Sequence, residues 1–554
     1  MNRLTQLNTL KTTDCFDVCV IGGGASGAGV ALDATLRGYK VILIEKNDFG
    51  GETSSRSTKL IHGGVRYLEQ AVKKFDFGQL KQVRHGLAER RFLLQNAPHL
   101  AKPLAIITPV FHWFEGLYYS IGLKIYGLFS QDTAFPSSSW LSKKQALAFI
   151  PTLSNRLQSA VMYYDGQLDD ARYTLALVQS AEKNGAVVLN HAAVTSFEMD
   201  ENGKLSGAKV VDTLEEKEIQ ISARVFVNCT GPFADTIRFL ANPNELPRIR
   251  PSKGVHIVLP SRFLASDKAV LIPKTEDGRL VFVIPFQQKV LIGTTETPYE
   301  NTENEPILEE EEVSYLLETV APYFTQKPTK KDVEAGFGGL RPLISAKSRE
   351  GKQTKTLLRD HEVEVDTKSG LISLLGGKWT TYRLMAEDTT HAIDAFLKKE
   401  GTRACQTKNF RLVGAQNVQF DFSNSQNIGV SLDLTREECL EMYQRYGDQL
   451  DILWEIMKED SRYLNKLHPD FSYRLAEVVY ASRYEMAMTL RDFFARRIRL
   501  EILNWSAVKE SMRQVADVMG EELGWTFEMK ELEIKKYESL LENFEVSASI
   551  VDKQ

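Results

Sequence analysis

The sequence predicts an α/β protein in which a Rossmann-like domain is interleaved with an antiparallel-sheet domain and followed by an all-helical domain. Three observations support this fold class. Residues 16–45 have the pattern of a strand, a glycine turn, a helix and a parallel strand. Residues 256–295 contain several short apolar strand patterns between turn-rich pieces, and nearly everything beyond residue 427 has helical periodicity.

In the first stretch the glycines follow the apolar run 18–21 directly, with the spacing Gly22-x-Gly24-x-x-Gly27. In a strand–turn–helix unit these places need a sharp turn, close backbone approach to a pyrophosphate, and close packing of helix on strand. Glu45 ends the second strand, where a carboxylate can accept hydrogen bonds from a ribose. The stretch therefore predicts dinucleotide binding rather than a tight structural turn, and its own residues leave NAD and FAD open.

Composition narrows the class of protein. The 554 residues suffice for two or three domains, and 43% hydrophobic with 25% charged residues is ordinary for a soluble globular protein. A net charge of -5 argues against a general nucleic-acid binder. The five cysteines show neither a CxxC pair nor a zinc spacing, so we expect reduced thiols, a cytoplasmic setting and no metal site. Since no signal-peptide pattern and no membrane-length apolar run is present, any membrane contact is expected to be peripheral.

Two later segments have an unusual composition. Residues 50–69, GGETSSRSTKLIHGGVRYLE, are rich in Ser, Thr and Gly, which favours an ordered binding loop. A helical region at 78–95 follows, and residues 111–129 are then strongly aromatic. Charged residues rule out a membrane span there, so this segment is expected to be a helix pair that packs in the substrate domain or touches a membrane.

Periodicity places the remaining elements. A helix is expected at 170–183, and strands at 187–189, 194–199, 205–211, 218–221, 225–228, 338–344, 361–366 and 371–375. Gly376 and Gly377 open a helix from about Thr380, whose positive end can face an anionic group. Residues 398–427 are expected to form a linker, and helices are expected from the capping box at 435–438, at 473–502, at 507–519 and at 527–542.

Several pieces of sequence, taken in order, point to a family. They are IGGGASGAGVALDATLRG at 21–38, SSRSTKLIHGGVRYLE at 54–69, KGVHIVLP at 253–260, GGLRPL at 338–343 and GGKWTTYRLMA at 376–386. Together they closely resemble the FAD-dependent glycerol-3-phosphate dehydrogenases, and residues 480–500 are similar to that family's helical domain. The resemblance implies oxidation of sn-glycerol 3-phosphate to dihydroxyacetone phosphate, with FAD as cofactor, electrons passed to a membrane quinone, and a possible homodimer.

We therefore expect a Rossmann-like FAD-binding domain, an interleaved antiparallel-sheet substrate domain and a C-terminal all-helical domain. The FAD-binding domain is expected to comprise residues 14–100, 160–245 and 345–400. The substrate-binding domain is expected at 101–159 and 246–344, and the C-terminal helical domain at 401–554.

The chemistry of alcohol oxidation assigns roles to single residues. His256 suits the removal of the hydroxyl proton by its intrinsic pKa, whereas Arg341 is always charged and suits stabilisation of the developing alkoxide. A phosphate ester attracts Arg and Lys. The expected substrate-binding residues are Arg66, Tyr67, His256, Arg341, Arg359 and Lys378. The expected cofactor-binding residues are Gly22, Gly24, Ala25, Ser26, Gly27, Glu45, Lys46, Ser54, Ser55, Lys59, His62, Gly231, Gly377, Lys378, Thr380 and Thr381.

Three alternatives remain open at this point. A glycerol-3-phosphate oxidase that reduces oxygen to hydrogen peroxide resembles the same motifs. The basic residues in the motif loops argue against an amine oxidase of the same broad fold. The joint presence of His256, Arg341 and Lys378 argues against a non-catalytic flavin-binding regulatory protein.

A quinone acceptor implies contact with a bilayer, since quinones dissolve there. The candidate surfaces are the aromatic residues 113–129 and a basic helical face with Arg496, Arg497 and Arg499, although these arginines suit ion pairs inside the C-terminal domain equally well. The expected location is the cytoplasm, in peripheral contact with the inner face of the cell membrane.

Overall fold

The computed structural model describes residues 1–63, 77–112, 135–273, 275, 278–300, 302, 304–345, 361–398 and 403–549. In chain order the strands are β1 (Phe16–Ile21), β2 (Val41–Ile44), β3 (Leu60–Ile61), β4 (Ala101–Val110), β5 (Ser139–Ser142), β6 (Ser159–Leu168), β7 (Val187–Leu189), β8 (Ala192–Met199), β9 (Leu205–Asp212), β10 (Lys217–Asn228), β11 (Ile249–Pro260), β12 (Ala269–Ile272), β13 (Val281–Phe286), β14 (Lys289–Gly293), β15 (Thr297–Pro298), β16 (Ala335–Ile344), β17 (His361–Val365) and β18 (Ile372–Gly376).

The helices of the described residues, in the same order, are α1 (Arg3–Lys11), α2 (Ala25–Leu36), α3 (Phe77–Asn96), α4 (Lys143–Phe149), α5 (Asp170–Lys183), α6 (Ala234–Ala241), α7 (Glu310–Val320), α8 (Tyr382–Leu397), α9 (Phe422–Ser431), α10 (Arg436–Tyr446), α11 (Leu450–Glu459), α12 (Leu475–Tyr484), α13 (Trp505–Leu523) and α14 (Phe527–Ser547). Among the residues so described, no helix is both long and apolar enough to cross a membrane.

The first sheet is the Rossmann-like core. Its order is β17-β18-β10-β1-β2-β7, with β18, β10, β1, β2 and β7 parallel, and the hairpin β8–β9 extends it from β10. Both faces of the central strand β1 are buried, because its apolar run packs under α2 on one side and against the hairpin layer on the other. The carboxyl ends of five parallel strands thus meet at one edge, the usual place for a bound ligand in such a sheet.

The second sheet has the order β15-β11-β14-β13-β12-β4-β6-β3, with β16 paired to β11 and β5 to β6. The predicted antiparallel pattern is present, since β11 pairs antiparallel with both β14 and β16. β6 pairs with β4 over its whole length, so residues 160–168 belong to this sheet, whereas the predicted boundary placed them in the first domain. The sequence of a single strand does not show which sheet it joins.

The C-terminal region differs from the prediction in two places. The expected linker at 398–427 overlaps the start of α9, and Leu412, Val413 and Ala415 are buried within the segment before it. The expected helix 473–502 is broken after α12, and a π-helical turn, Asp492–Arg497, and a 3-10 turn, Leu500–Ile502, follow.

In the first sheet, the two strands expected at 218–221 and 225–228 form the single strand β10.

Candidate functional site

The glycine turn between β1 and α2 has no room for side chains. Gly22 has φ +105, and a Cβ there would lie 2.7 Å from the carbonyl oxygen of Cys229. A Cβ on Gly27 would overlap the carbonyl oxygen of Gly22. Gly24 is the N-cap of α2 and supplies no capping side chain. The turn therefore offers bare backbone at a helix N-terminus, which fits the pyrophosphate of a dinucleotide.

Glu45 supports this turn from the end of β2. Its Oε2 accepts a hydrogen bond from the Gly23 amide at 2.7 Å, and its Oε1 accepts one from the Asn47 amide at 2.9 Å. Burial raises the pKa of the Glu45 carboxyl, and these two N–H groups lower it. Each carboxylate oxygen still has a lone pair for a ribose hydroxyl.

Residues 48–59 form a loop, the 48–59 loop, that runs from the first sheet to the second. Ser54 Oγ accepts a hydrogen bond from the Ala25 amide at 2.9 Å, in the first turn of α2. The carbonyl oxygen of Ser54 accepts one from Trp379 Nε1 at 2.8 Å. Thr53 Oγ1 donates to the carbonyl oxygen of Leu340 in β16 at 2.6 Å. The loop therefore joins the first glycine turn, the second glycine turn and the substrate sheet.

Lys59 is buried, and its ammonium group bonds to groups within the protein. Its Nζ donates to the carbonyl oxygens of Ser55 and Ser57, at 2.8 and 3.1 Å, and to Asp170 Oδ2 at 2.7 Å. All three of its N–H bonds are thus used inside the protein. Burial lowers the pKa of Lys59 to about 8, although the Asp170 carboxylate opposes this. The Lys59 side chain therefore stabilises the loop through its carbonyl oxygens and Asp170.

The second glycine turn lies between β18 and α8. Gly377 has φ +84, and Lys378 is the N-cap of the 3-10 turn Trp379–Thr381. Thr381 Oγ1 donates to the carbonyl oxygen of Lys378 at 3.2 Å. After the parallel strand β10, Gly231 begins another 3-10 turn with φ +57. These turns follow carboxyl ends of the same sheet as the first glycine turn, so the structure brings both groups of predicted cofactor residues to one edge.

One face of the second sheet carries the predicted catalytic pair. In the register of β11 and β16, Ser252 lies opposite Arg341 and His256 lies opposite Phe337. On β11, Gly254 lies between Ser252 and His256. A Cβ on Gly254 would overlap the Arg341 guanidinium, and one on Gly293 would overlap the His256 ring. The glycines thus let both side chains lie flat along the sheet.

Arg341 is held by oxygen acceptors of neighbouring strands. Its Nη2 donates to Thr294 Oγ1 at 3.0 Å and to the carbonyl oxygen of Thr295 at 3.2 Å, and its Nη1 donates to that of Lys253 at 3.3 Å. These three acceptors fix the orientation of the guanidinium on the sheet face.

His256 is buried between the sheet and the 48–59 loop. Its Nε2 lies 3.1 Å from Thr58 Oγ1, and its ring stacks on Phe337 with centroids 4.8 Å apart. Within the described residues Nδ1 has no hydrogen-bond partner. Burial, and then the charges of Lys59 and Arg341, hold the pKa of His256 well below 6.5. The ring is therefore neutral at physiological pH, and in the tautomer whose Nε2–H donates to Thr58 Oγ1 the lone pair on Nδ1 is able to take up a proton.

The other predicted residues divide into two groups. Ala25 and Ser26 lie in the first turn of α2, Thr380 is buried in the second glycine turn, and Lys46 Nζ lies 3.9 Å from the centre of the Phe233 ring. His62 follows β3 directly. Three predicted substrate residues, Arg66, Tyr67 and Arg359, lie outside the described residues.

Sequence reasoning missed Thr58, Trp379 and Asp170. Thr58 and Trp379 stand inside the two motif stretches, at 54–69 and 376–386, so their neighbourhood was a signal although their partners were not. Asp170 begins α5, and nothing in its local sequence marks a contact with residues 57 and 59.

The proposed basic membrane face is wrong. Arg496, Arg497 and Arg499 are 6%, 0% and 1% exposed, and each of them forms ion pairs inside the protein. Arg496 and Arg497 pair with Asp48, and Arg499 pairs with Asp170. A charge cluster in a sequence does not show whether its members face solvent or a buried partner, and here burial with acidic partners decides the question.

Comparison with known families agrees with this geometry. Residues 17–383 match the family model described as FAD dependent oxidoreductase, and residues 405–530 match the one described as C-terminal domain of alpha-glycerophosphate oxidase. The probable mitochondrial glycerol-3-phosphate dehydrogenase of Caenorhabditis elegans is 40% identical over 546 residues, which cover 97% of this chain and 74% of that protein.

Two solved structures are also similar. The glycerol-3-phosphate dehydrogenase of Bacillus halodurans, solved with FAD, is 31% identical with a TM-score of 0.79, and the match covers 99% of this chain and 98% of that one. The L-alpha-glycerophosphate oxidase of Mycoplasma pneumoniae, also with FAD, is 16% identical with a TM-score of 0.56, covering 72% and 98%. The latter likeness concerns the fold alone.

Proposed function

Since the chain belongs to the family of FAD-dependent glycerol-3-phosphate dehydrogenases, we propose that it oxidises sn-glycerol 3-phosphate to dihydroxyacetone phosphate and delivers the electrons to a membrane quinone. The observation that supports this most directly is the placement of Arg341 and His256 on one sheet face, against the loop that also contacts both glycine turns. In this proposal Arg341 would supply the anion site and His256 the proton acceptor, next to the predicted cofactor edge.

FAD is the cofactor, and the residues that would hold it are those that fit a dinucleotide. The first glycine turn would take the pyrophosphate, Glu45 a ribose, and Ser54, Ser55, His62 and the turn 377–381 the flavin end. When bound, FAD supplies the acceptor for the hydride that leaves the alcohol carbon.

Substrate binding is assigned to the arginine side of the sheet face. Arg341, with Arg66, Tyr67, Arg359 and Lys378 from the predicted set, would hold the phosphate and the hydroxyl groups by charge-assisted hydrogen bonds. The guanidinium is always charged, so Arg341 also stabilises negative charge that develops on the alcohol oxygen.

His256 is assigned to take the hydroxyl proton. The neutral ring has an Nδ1 without a partner among the described residues, while Thr58 contacts Nε2 and fixes the ring. The charge of Arg341 lowers the pKa of His256, so a bound phosphate, which offsets that charge, favours proton uptake by the ring.

The proposed function is tested with the purified flavoprotein under anaerobic conditions. Glycerol 3-phosphate is expected to bleach the flavin, a water-soluble quinone analogue to restore its colour, and glycerol without the phosphate to do neither at the same concentration. Bleaching by glycine or sarcosine instead would favour the amine oxidase, and no bleaching by any of them would favour a non-catalytic flavoprotein. Stoichiometric hydrogen peroxide in aerated buffer without quinone would assign the oxidase.

Membrane contact is the part of the proposal that rests on chemistry, since the quinone lies in the bilayer. With the arginines at 496, 497 and 499 buried, the aromatic residues 113–129 are the remaining candidate surface, and those residues lie outside the described part of the chain. We place the protein on the cytoplasmic face of the cell membrane, as a peripheral protein and a homodimer. Flotation with anionic liposomes at low salt tests the first claim, and sedimentation velocity tests the second; sedimentation as a monomer or absence of flotation contradicts them.

A further inference from the structure

The C-terminal helical domain reaches the 48–59 loop at its first residue. Asp48 is fully buried, and its Oδ2 accepts hydrogen bonds from Arg496 Nε at 2.6 Å and Arg497 Nη1 at 2.7 Å. Its Oδ1 accepts one from Arg497 Nη2 at 3.0 Å and one from Asn190 Nδ2 at 3.2 Å. Two guanidinium groups from the C-terminal domain therefore compensate one buried carboxylate of the loop.

The C-terminal domain also contacts the middle of the 48–59 loop. Arg499 Nη2 donates to the carbonyl oxygen of Ser55 at 2.6 Å and to Asp170 Oδ1 at 2.9 Å. Asp170 Oδ2 in turn accepts from the amide and hydroxyl of Ser57, at 3.0 and 2.7 Å, and from Lys59. Arg499 thus contacts the loop both directly and through the carboxylate that holds its second half.

The helix is broken where these closely spaced arginines reach the loop. Asp492–Arg497 is a π-helical turn, and Arg499 has φ +71, a left-handed conformation. In a regular α-helix the side chains at 496 and 499 would share a face, whereas that at 497 would be rotated from 496 by about 100°. Arg499 Nη1 is fixed by the carbonyl oxygen of Ala495 at 2.6 Å, so the side chain is pre-oriented toward the loop.

These contacts lie next to the two loop residues that touch the site. Ser55, held by Arg499, follows Ser54, which bonds the first turn of α2 and Trp379. Ser57, held by Asp170, precedes Thr58, which contacts His256. A shift of the loop at Ser55 or Ser57 therefore moves the contacts of the adjacent residue, Ser54 or Thr58 respectively.

We propose that Arg499, aided by Arg496 and Arg497, is a positioning residue: through it the C-terminal domain holds the 48–59 loop in the shape that retains FAD and sets the Thr58–His256 contact. This rests on the FAD binding of the proposed function. It gives the C-terminal domain a purpose at the cofactor site, although none of its three arginines needs to touch the cofactor.

The test compares Arg499→Lys and Arg499→Met with Arg445→Lys and Arg445→Met in the full-length holoprotein. Arg445 is a matched control, because it is a buried arginine of the same domain whose Nε and Nη2 bond Glu477, at 2.9 and 3.1 Å, without contact to the loop. For each variant we measure the rate of FAD release by the fluorescence of free flavin, the visible circular dichroism of bound flavin, and the thermal unfolding midpoint.

We expect Arg499→Met to release FAD at least about tenfold faster and to change the flavin dichroism, since it removes hydrogen bonds from a charged donor. Arg499→Lys keeps the charge, and its FAD release rate and flavin dichroism are expected to lie between those of Arg499→Met and wild type. This variant therefore remains informative if Arg499→Met does not fold. The Arg445 variants are expected to unfold at lower temperature while they retain FAD and its dichroism.

Wild-type FAD release and dichroism in both Arg499 variants would overturn the proposal. So would equal loss of FAD in the Arg445 variants, because the effect would then be one of general stability. Neither outcome depends on turnover, whereas failure of glycerol 3-phosphate to bleach the wild-type flavin would count against the proposed function alone.

Discussion

Thr58 offers the sharpest test of how His256 works. The substitution Thr58→Val keeps the shape of the side chain but removes the hydroxyl that lies 3.1 Å from His256 Nε2. Within the described residues Nδ1 has no partner either, so the buried ring would lose its hydrogen-bonding anchor. Leaving a buried polar group unsatisfied costs about 1–3 kcal/mol, and a barrier raised by that amount slows the reaction about 5- to 150-fold.

The assay is stopped-flow reduction of the bound flavin by glycerol 3-phosphate without oxygen, because it isolates the step in which the proton is taken. Thr58→Ser restores the hydroxyl and is expected to recover most of the rate. Thr53→Val is the matched control, since Thr53 lies in the same loop and donates to the same sheet at Leu340, 2.6 Å away, without contact to His256. A wild-type reduction rate in Thr58→Val, or an equal loss in Thr53→Val, would refute the reasoning.

Three further predictions follow from single contacts. Gly27→Ala is expected to abolish FAD binding, because its Cβ would overlap the Gly22 carbonyl; flavin content after purification measures this, with Gly520→Ala, whose Cβ has 3.7 Å of room, as the control. Arg341→Lys is expected to lower kcat/KM for glycerol 3-phosphate about 10- to 100-fold while FAD content is unchanged. The positive charge remains in this variant, but the bidentate hydrogen bonding of the guanidinium is lost. A loss below twofold contradicts the assignment. Burial lowers the pKa of His191, but the charge and hydrogen bond of Asp492, 2.8 Å away, outweigh it and raise the pKa above 6.5. The stability that this pair contributes is therefore fully present below pH 6.5 and is lost as pH rises through the raised pKa. Urea unfolding should show that the difference in free energy of unfolding between wild type and His191→Gln becomes smaller as pH rises. A difference that stays constant with pH contradicts this.

The fold could be predicted wherever the signal was local. The unit from β1 to β2 depends on an apolar run, a glycine spacing and a helix within 30 residues, and it forms as expected. The capping box Thr435–Glu438 likewise begins α10, since both of its hydrogen bonds lie within one turn. Where the signal was not local the prediction was incomplete, as for β6, whose place in the second sheet is set by its pairing with β4.

For the candidate site, the sequence by itself determined which residue types are present and, through the motif stretches, which chemistry they serve: a glycine turn for a pyrophosphate, and His256 and Arg341 for an anionic alcohol. Only the tertiary structure decided their neighbours, because contacts between residues far apart in sequence depend on how whole domains pack. Thr58 is 198 positions from His256, and Arg499 is 444 positions from Ser55. The same arginine that looked like part of an exposed basic face is buried there, since a guanidinium is stable wherever packing supplies a carboxylate and carbonyl oxygens.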